Sequence, residues 1–275
     1  MNPAWLTRRT FDRAGLALCV ADAGRGRVPF VFQHGLCGSA QQTAEACPDD
    51  GAIRLLTLEC RGHGDSPAGT LDRLSIATFA DDLIAFIEST ALAPVVLGGI
   101  SMGAALSLRI AVRRPKLVRA LVLVRPAWVL EAAPANMRPN AEVGELLLRE
   151  PPERALVLFE QGETARRLAR ESPDNLASLR GLFTRVPVDA TAALLTRISA
   201  DGPGVTDAQL RALSMPALVL GSGLDPIHPL VDALRLAALM PSARFTEIAA
   251  KSLSREAYLS DLHAALAAFL HEVFA

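Results

Sequence analysis

The chain has 275 residues, 51% of them hydrophobic, and its 28 basic and 29 acidic residues leave a net charge of −1. This length and apolar content fit one large α/β domain better than two independent domains. Because neither sign of charge dominates, the composition argues against a nucleic-acid partner and against an anionic membrane surface.

Two further features of the sequence concern its location and its chemistry. No apolar stretch approaches the roughly 18 residues that span a bilayer, and residues 1–9 lack the apolar region of a secretory leader, so we expect a cytoplasmic protein. The cysteines, at positions 19, 37, 47 and 60, lack C-x-x-C spacing, which predicts neither a disulfide framework nor a metal site. We expect no cofactor.

Short runs rich in Val, Leu and Ile alternate with helical patterns, which is typical of a mainly parallel, doubly wound sheet covered on both faces. Strands are predicted near 10–21, 28–33, 53–59, 94–100, 118–124, 216–221 and 244–248. Apolar side chains at helical spacing predict helices over 75–90, 103–114, 229–240 and 254–273.

The alternation fails between Pro126 and Pro203, where six prolines separate helical segments near 141–150, 153–171, 174–185 and 189–199. We interpret this stretch as a helical cap inserted into one domain, rather than as an independent helical domain. The predicted division is therefore a core of residues 1–126 and 204–275, with a cap of residues 127–203.

A glycine-flanked serine lies at the junction of a predicted strand and a predicted helix. Gly99-Ile100-Ser101-Met102-Gly103 closes the apolar run 94–98 and opens an amphipathic one. A nucleophilic serine needs such a sharp, strained turn, and glycine two positions before and after it relieves the clash between strand and helix. Ser101 is therefore the candidate nucleophile.

On this segment the chain resembles the α/β-hydrolase superfamily. Phe32-Gln33-His34-Gly35-Leu36, after an early strand, is similar to the family's His-Gly oxyanion loop. The resemblance implies that the backbone amides of Leu36 and Met102 hold the developing oxyanion, and that His34 shapes the loop. An amide in the first turn of a helix is free to donate and lies at the positive end of the helix dipole, which agrees with this role.

The same resemblance continues downstream. Residues 61–66 match a family turn, in which we interpret His63 as a hydrogen-bonded loop residue. Asp225, at the end of a strand and four residues before Pro229, resembles the family's catalytic acid, the alternative being a helix cap. The acid would hold the imidazole tautomer and stabilise the imidazolium.

The catalytic histidine is where the pattern departs from the family. The loop after the last strand, residues 248–254, contains no histidine. His228, three residues after Asp225, is the best replacement, because an imidazole has a pKa suited to general-base work. The alternative is that His228 only hydrogen-bonds the acid or caps the next helix. Lys251 would need its pKa lowered by about 3 units.

Other side chains are weaker candidates. His263 lies about 15 Å further down the last helix, and His271 further still. Trp128 is predicted to line the substrate pocket, Arg125 and Arg138 are candidates for meeting a substrate carboxylate, and Cys37 is a candidate for a thiol of lowered pKa near a helix start.

Together these features predict a serine hydrolase that acts on small carboxylic esters or lactones through an acyl-enzyme. We expect a monomer or homodimer that binds a small-molecule substrate. Two alternatives remain at this point. One is a ligand-binding protein that has lost hydrolysis, and the other is lyase-like or peroxidase-like chemistry on the same fold.

Overall fold

A computed structural model of the chain describes residues 6–48 and 51–274. Within them, eight strands form one sheet in the order β1-β2-β4-β3-β5-β6-β7-β8. The strands are β1 Thr7–Arg13, β2 Leu16–Asp22, β3 Val28–Gln33, β4 Ile53–Leu58, β5 Val95–Ile100, β6 Val118–Val124, β7 Ala217–Gly221 and β8 Ala243–Glu247. The expectation that the chain lacks a secretory leader is based on residues 1–9. Of these, residues 1–5 lie outside the described residues.

The sheet is covered by helices on both faces, which confirms the predicted doubly wound α/β architecture. The helices α2 Ile76–Thr90, α3 Met102–Arg113 and α10 Leu230–Leu239 pack in the apolar core of one face. The helices α1 Ala40–Ala46 and α11 Arg255–Phe274 pack in the core of the opposite face. Strands β3 to β8 pair in parallel. The apolar runs of β3 to β7 reflect burial on both sides, whereas the edge strand β8 is mostly exposed.

The first predicted strand is two strands. The stretch 10–21 folds as the antiparallel hairpin β1–β2, with Arg13 opposite Leu16. The two residues between them, Ala14 and Gly15, both have positive φ, at 54° and 83°. Two consecutive residues with positive φ form the tight turn that joins twisted antiparallel strands. Alanine is not a residue type that predicts this turn in a sequence.

Residues 138–199, between β6 and β7, form five α-helices, here called the inserted helices. They are α4 Arg138–Arg149, α5 Pro152–Glu160, α6 Glu163–Glu171, α7 Pro173–Leu182 and α8 Val188–Ser199. The prediction of one helix over 153–171 is wrong at Gln161 and Gly162, where Gly162 adopts extended backbone (φ −76°, ψ 165°) and starts α6. A short helix, α9 Asp207–Arg211, precedes β7.

The chain reverses its direction of travel across the sheet between β3 and β5. From β3 it moves outward to β4, then returns to β5 on the other side of β3. In open α/β sheets, ligands bind in the crevice that such a reversal leaves beyond the carboxyl ends of the strands. The loop after β3 and the turn after β5 therefore meet where a site is expected.

The backbones of β5, α3 and β3 pack directly against one another. A Cβ placed on Gly99 would lie 2.4 Å from the carbonyl carbon of Gly103, and one placed on Gly103 would lie 2.4 Å from the carbonyl oxygen of Gln33. Neither neighbour is the end of a flexible side chain, so both positions require glycine. None of the helices in the described part of the chain is both long and apolar enough for a membrane span.

We expect Gly103→Ala to destabilise the fold by at least about 2 kcal/mol, because overpacking against backbone forces strands and helix apart. The matched control is Gly181→Ala in α7, where an added Cβ meets nothing within 4 Å and helix propensity alone stabilises by about 0.5–1 kcal/mol. Urea unfolding of both variants measures the difference. Equal stability of the two variants would contradict the close-packing argument.

Candidate active site

Ser101 occupies a strained turn between β5 and α3. Its backbone has φ 56° and ψ −109°, a conformation that costs a residue with a Cβ about 1–3 kcal/mol. Its N–H donates to the carbonyl of Val124 at 3.0 Å, and its own carbonyl accepts from the amides of Ala104 and Ala105. The turn is thereby fixed by backbone bonds, while the hydroxyl makes no hydrogen bond to any residue in 6–48 or 51–274.

The Ser101 side chain faces a cavity of about 140 Å³. Its walls come from strand ends and loops of the sheet on one side and from the inserted helices α4 and α7 on the other. The lining residues from the sheet side are Gly35, Leu36, Gln42, Ile100, Ser101, Arg125, Ile227, His228 and Lys251, and those near or on the inserted helices are Met137, Asn140, Asn175, Ser178, Leu179 and Leu182.

Asp225 and His228 form a nearly buried pair beside this cavity, with side chains 6% and 11% exposed. The His228 Nδ1 lies 3.1 Å from Oδ1 and 3.0 Å from Oδ2 of the carboxylate. The His228 backbone N–H also donates to the Asp225 side chain at 3.1 Å. Because Asp225 and His228 are three residues apart in the turn before α10, the carboxylate can bond both the backbone and the ring of His228.

Arg125 and Asn175 hold the same carboxylate from two other elements. Arg125 directly follows β6, and its Nε donates to Asp225 Oδ2 at 2.8 Å. Asn175, on α7, donates to Oδ1 at 2.8 Å. The Arg125 guanidinium is 9% exposed, lies 3.1 Å from His228 Nδ1 through Nη2, and sits 5.6 Å from the ring centre of Tyr258.

These contacts set the charges of the site. Burial by itself would raise the pKa of Asp225, but His228, Arg125 and the Asn175 amide hold that pKa well below its usual range. Burial lowers the pKa of His228 from its ordinary value, and Arg125 lowers it further, against the opposing effect of Asp225. Near neutral pH the site therefore contains a carboxylate, a guanidinium and a neutral imidazole.

The loop after β3 reaches the cavity. Leu36 lines it, and Met102 is the first residue of α3, directly after Ser101. The Gln42 side chain accepts from the Gly35 N–H at 2.7 Å and so fixes the loop. His34 bridges the loop to β4: its Nδ1 lies 2.9 Å from the Gly35 carbonyl, and its Nε2 accepts from the Cys60 amide at 3.1 Å.

The remaining histidines lie away from the hydroxyl. His63 stacks on His34 with ring centres 4.7 Å apart, and burial holds its pKa well below the ordinary value. His263 donates from Nε2 to the Glu45 carbonyl at 2.8 Å on the other face, and His271 is exposed near the end of α11. None of the three lines the cavity.

Three other candidates are placed as follows. Trp128 is 1% exposed and its Nε1 donates to the Asp201 carbonyl at 2.9 Å, outside the cavity lining. Arg138 is exposed and pairs with Glu145, at 2.5 Å. Burial raises the pKa of the Cys37 thiol to about 11, which opposes the reactive thiolate considered from the sequence.

Among the described residues, one group has metal-ligand geometry. Cys19, Glu59 and Asp65 bring one donor atom each within 4.8 Å of one another. The guanidinium of Arg8 contacts all three, at 3.2 Å from the Cys19 sulfur and 3.2 Å from Glu59 Oε2. A cation of the protein itself already balances this cluster.

Comparisons with known proteins identify the family of the chain. The family model for the alpha/beta hydrolase fold matches residues 28–251. The chain belongs to the α/β-hydrolase fold family. This membership confirms the resemblance found in the sequence and supports the expectation of an ester hydrolase.

The sequence identity to individual relatives is low. The chain is 32% identical over 120 residues to the sn-1-specific diacylglycerol lipase ABHD11 of Mus musculus, a match that covers 42% of this chain and only 36% of that protein. It is 29% identical over 224 residues to RutD of Rhizobium rhizogenes, a protein named for carbamate hydrolysis, covering 78% of this chain and 80% of that one. A thermophilic esterase from Thermogutta terrifontis superposes with a TM-score of 0.72 at 23% identity, over 99% and 100% of the two chains.

Sequence reasoning missed the roles of Gln42 and Asn175 and misread that of Arg125, which pairs with Asp225 in this structure. A signal existed for Arg125. The carboxyl ends of β5, β6 and β7 adjoin in the sheet, so the residue after β6 must lie between Ser101 and Asp225. The contact of Asn175 with Asp225 could not be predicted in the same way, because strand order does not determine how α7 packs over the sheet.

We expect Arg125→Met to lower the free energy of unfolding by about 3 kcal/mol, because it leaves a buried carboxylate without its cation. The matched control is Arg235→Met, which breaks an ion pair with Glu131 whose side chains are 47% and 58% exposed and should cost at most about 1 kcal/mol. Denaturant unfolding at pH 7 measures both. If the two variants were equally stable, the Arg125–Asp225 pair would not be the structural constraint that we describe.

Proposed function

We propose that the protein hydrolyses small carboxylic esters or lactones through an acyl-enzyme formed on Ser101. One observation carries this proposal: a serine hydroxyl on a strained strand-to-helix turn opens into the same small cavity as a neutral imidazole backed by a buried carboxylate. Nucleophilic catalysis by serine requires this combination of an exposed hydroxyl, a base and a group that orients the base.

In the first step, the Ser101 oxygen attacks the substrate carbonyl and its proton passes to His228 Nε2, directly or through a water molecule. Asp225 accepts the Nδ1–H of the ring, which selects the tautomer with a lone pair on Nε2 and stabilises the imidazolium that forms. The imidazolium then returns the proton to the departing alkoxide. A water molecule attacks the acyl-enzyme by the same route and releases the acid and Ser101.

The negative charge that develops on the carbonyl oxygen needs donors fixed in advance. The backbone amides of Leu36 and Met102 are the proposed donors, and Met102, as the first residue of α3, adds the positive end of the helix dipole. Each such donor is worth about 3 kcal/mol of barrier in serine hydrolases. The bonds that Gln42 and His34 make to Gly35 hold the loop that presents Leu36.

The named activities of similar proteins are compatible with this reaction. An esterase, an enol-lactonase from Burkholderia xenovorans and a diacylglycerol lipase all act on carboxylic ester bonds according to their names. At the observed identities the solved structures support the fold alone, so the choice of ester or lactone for this chain rests on its own cavity.

A second candidate function is ligand binding without turnover, and one contact favours it. Arg125 Nη2 lies 3.1 Å from His228 Nδ1, within donor distance. An imidazole that accepts from Arg125 at Nδ1 carries its proton on Nε2 and cannot accept the serine proton. Turnover therefore requires that Nδ1 of His228 donates its hydrogen bond to Asp225 and does not accept one from Arg125.

Labelling tests the nucleophile. We expect a fluorophosphonate to modify Ser101, detected by mass spectrometry, and Ser101→Ala to lose at least about 10⁴-fold in kcat/KM on p-nitrophenyl acetate. The control is Ser89→Ala, an exposed hydroxyl at the end of α2, with activity within twofold of the unaltered protein. A protein that stays unlabelled while ordinary esterases react would refute the acyl-enzyme.

The pH dependence tests the base. Because only neutral His228 accepts a proton, kcat/KM should fall as the pH drops through its pKa, and the midpoint should lie below about 6.5 since burial lowers that pKa. Arg125→Met removes a cation that lowers it, so the midpoint should move to higher pH. A midpoint above about pH 8 in the unaltered protein would indicate Lys251 instead of His228.

A further inference from the structure

Lys251 lies on the connection between β8 and α11, the loop that lacks the expected histidine. Its side chain lines the cavity into which Ser101 opens, and also an adjoining space of about 60 Å³ behind Arg125. In the described part of the chain its ammonium forms neither a hydrogen bond nor an ion pair. Burial lowers the pKa of Lys251, and the nearby Arg125 lowers it further, against the opposing effect of Asp174 and Asp225.

Among the described residues that line the cavity, none carries a carboxylate. Arg125 is the second cation of the cavity wall, and it is bound to Asp225. Asp174, on α7, raises the pKa of Lys251 but is no ion-pair partner, and it accepts from the Ser172 hydroxyl at 2.8 Å. The nearby carboxylates of Asp174 and Asp225 offset part of the Lys251 charge, but neither lines the cavity, so an entering anion meets the ammonium and no carboxylate on the wall.

We propose that Lys251 binds a carboxylate on the substrate, so that the cavity selects monoesters of short dicarboxylic acids over neutral esters. This inference rests on the proposed function and names its substrate class. An ammonium donates up to three hydrogen bonds, and bonds between charged groups are about twice as strong as neutral ones. Because Lys251 and Ser101 share one cavity, the carboxylate and the reacting carbonyl belong to the same small molecule.

The size of the cavity limits that molecule. A cavity of about 150 Å³ holds benzene, with six carbons, and this one measures about 140 Å³. A succinyl group, with four carbons and a terminal carboxylate, is of this size, whereas a nitrophenyl group with its ester oxygen is larger. In a p-nitrophenyl ester of succinic acid, the succinyl part is therefore the part that the cavity can hold beside Lys251.

Kinetics with paired substrates tests the proposal. We expect kcat/KM for p-nitrophenyl hemisuccinate to exceed that for p-nitrophenyl butyrate by about tenfold or more, and Lys251→Met to reduce this ratio about tenfold. Lys251→Arg should retain most of the preference because it keeps the cation. The chain has only two lysines, so Lys116→Met, at an exposed site before β6, is the matched control and should leave the ratio unchanged.

A second measurement needs neither turnover nor a variant at position 251. In Ser101→Ala, acetylation by an N-hydroxysuccinimide ester at pH 8 is followed at both lysines by mass spectrometry. We expect monoethyl succinate to slow the reaction of Lys251 at least about threefold relative to Lys116, and ethyl butyrate to have no such effect. Equal protection by the two esters, or protection by neither, would overturn the carboxylate site.

The two experiments separate the inference from the function on which it rests. If esters are hydrolysed and the preference is absent, or survives in a folded Lys251→Met protein, the inference is wrong and the hydrolase stands. If no ester is hydrolysed but monoethyl succinate protects Lys251, the carboxylate site stands and the acyl-enzyme is wrong. Melting curves of each variant establish that it is folded before either conclusion is drawn.

Discussion

The rest of the site depends on the buried ion pair between Arg125 and Asp225. It ties the end of β6 to the end of β7, beside the turn that carries Ser101. Once the carboxylate is bound by a guanidinium on one side and by Asn175 on the other, its remaining lone pairs face His228. The pair thus sets where the imidazole lies, keeps the carboxylate ionised and leaves the ring neutral.

This arrangement differs from one in which the acid serves a histidine alone. A carboxylate shared with Arg125 has less charge to offer His228, so it supports the imidazolium less strongly than an unshared carboxylate would. Arg125 also competes for Nδ1 of the ring. The reaction therefore depends on a balance of hydrogen bonds around one nitrogen, and the loop that lacks a histidine contributes a lysine to the cavity wall.

The positions of the central parallel strands and the serine turn could be predicted because each depends on a short stretch of sequence. Gly99 and Gly103 are required by backbone contact, and the strands from β3 to β7 are largely buried on both faces, so their runs are mainly apolar. The β1–β2 hairpin was not predicted, since Ala14 adopts positive φ without a residue type that signals it. The contact of Asn175 with Asp225 joins positions 50 residues apart through helix packing, which no short-range pattern encodes.

The cavity has two kinds of wall. The groups proposed for bond making lie on strand ends and adjoining loops, where register and close backbone contact fix them. Much of the opposite wall belongs to α4 and α7, which lie outside the sheet, although Asn175 of α7 also bonds the Asp225 carboxylate. Substitutions on those two helices at positions other than Asn175 can therefore reshape the space around a substrate while the reacting groups keep their geometry. Selectivity and reactivity are in this sense physically separable, and a lineage could change its preferred molecule without rebuilding its chemistry.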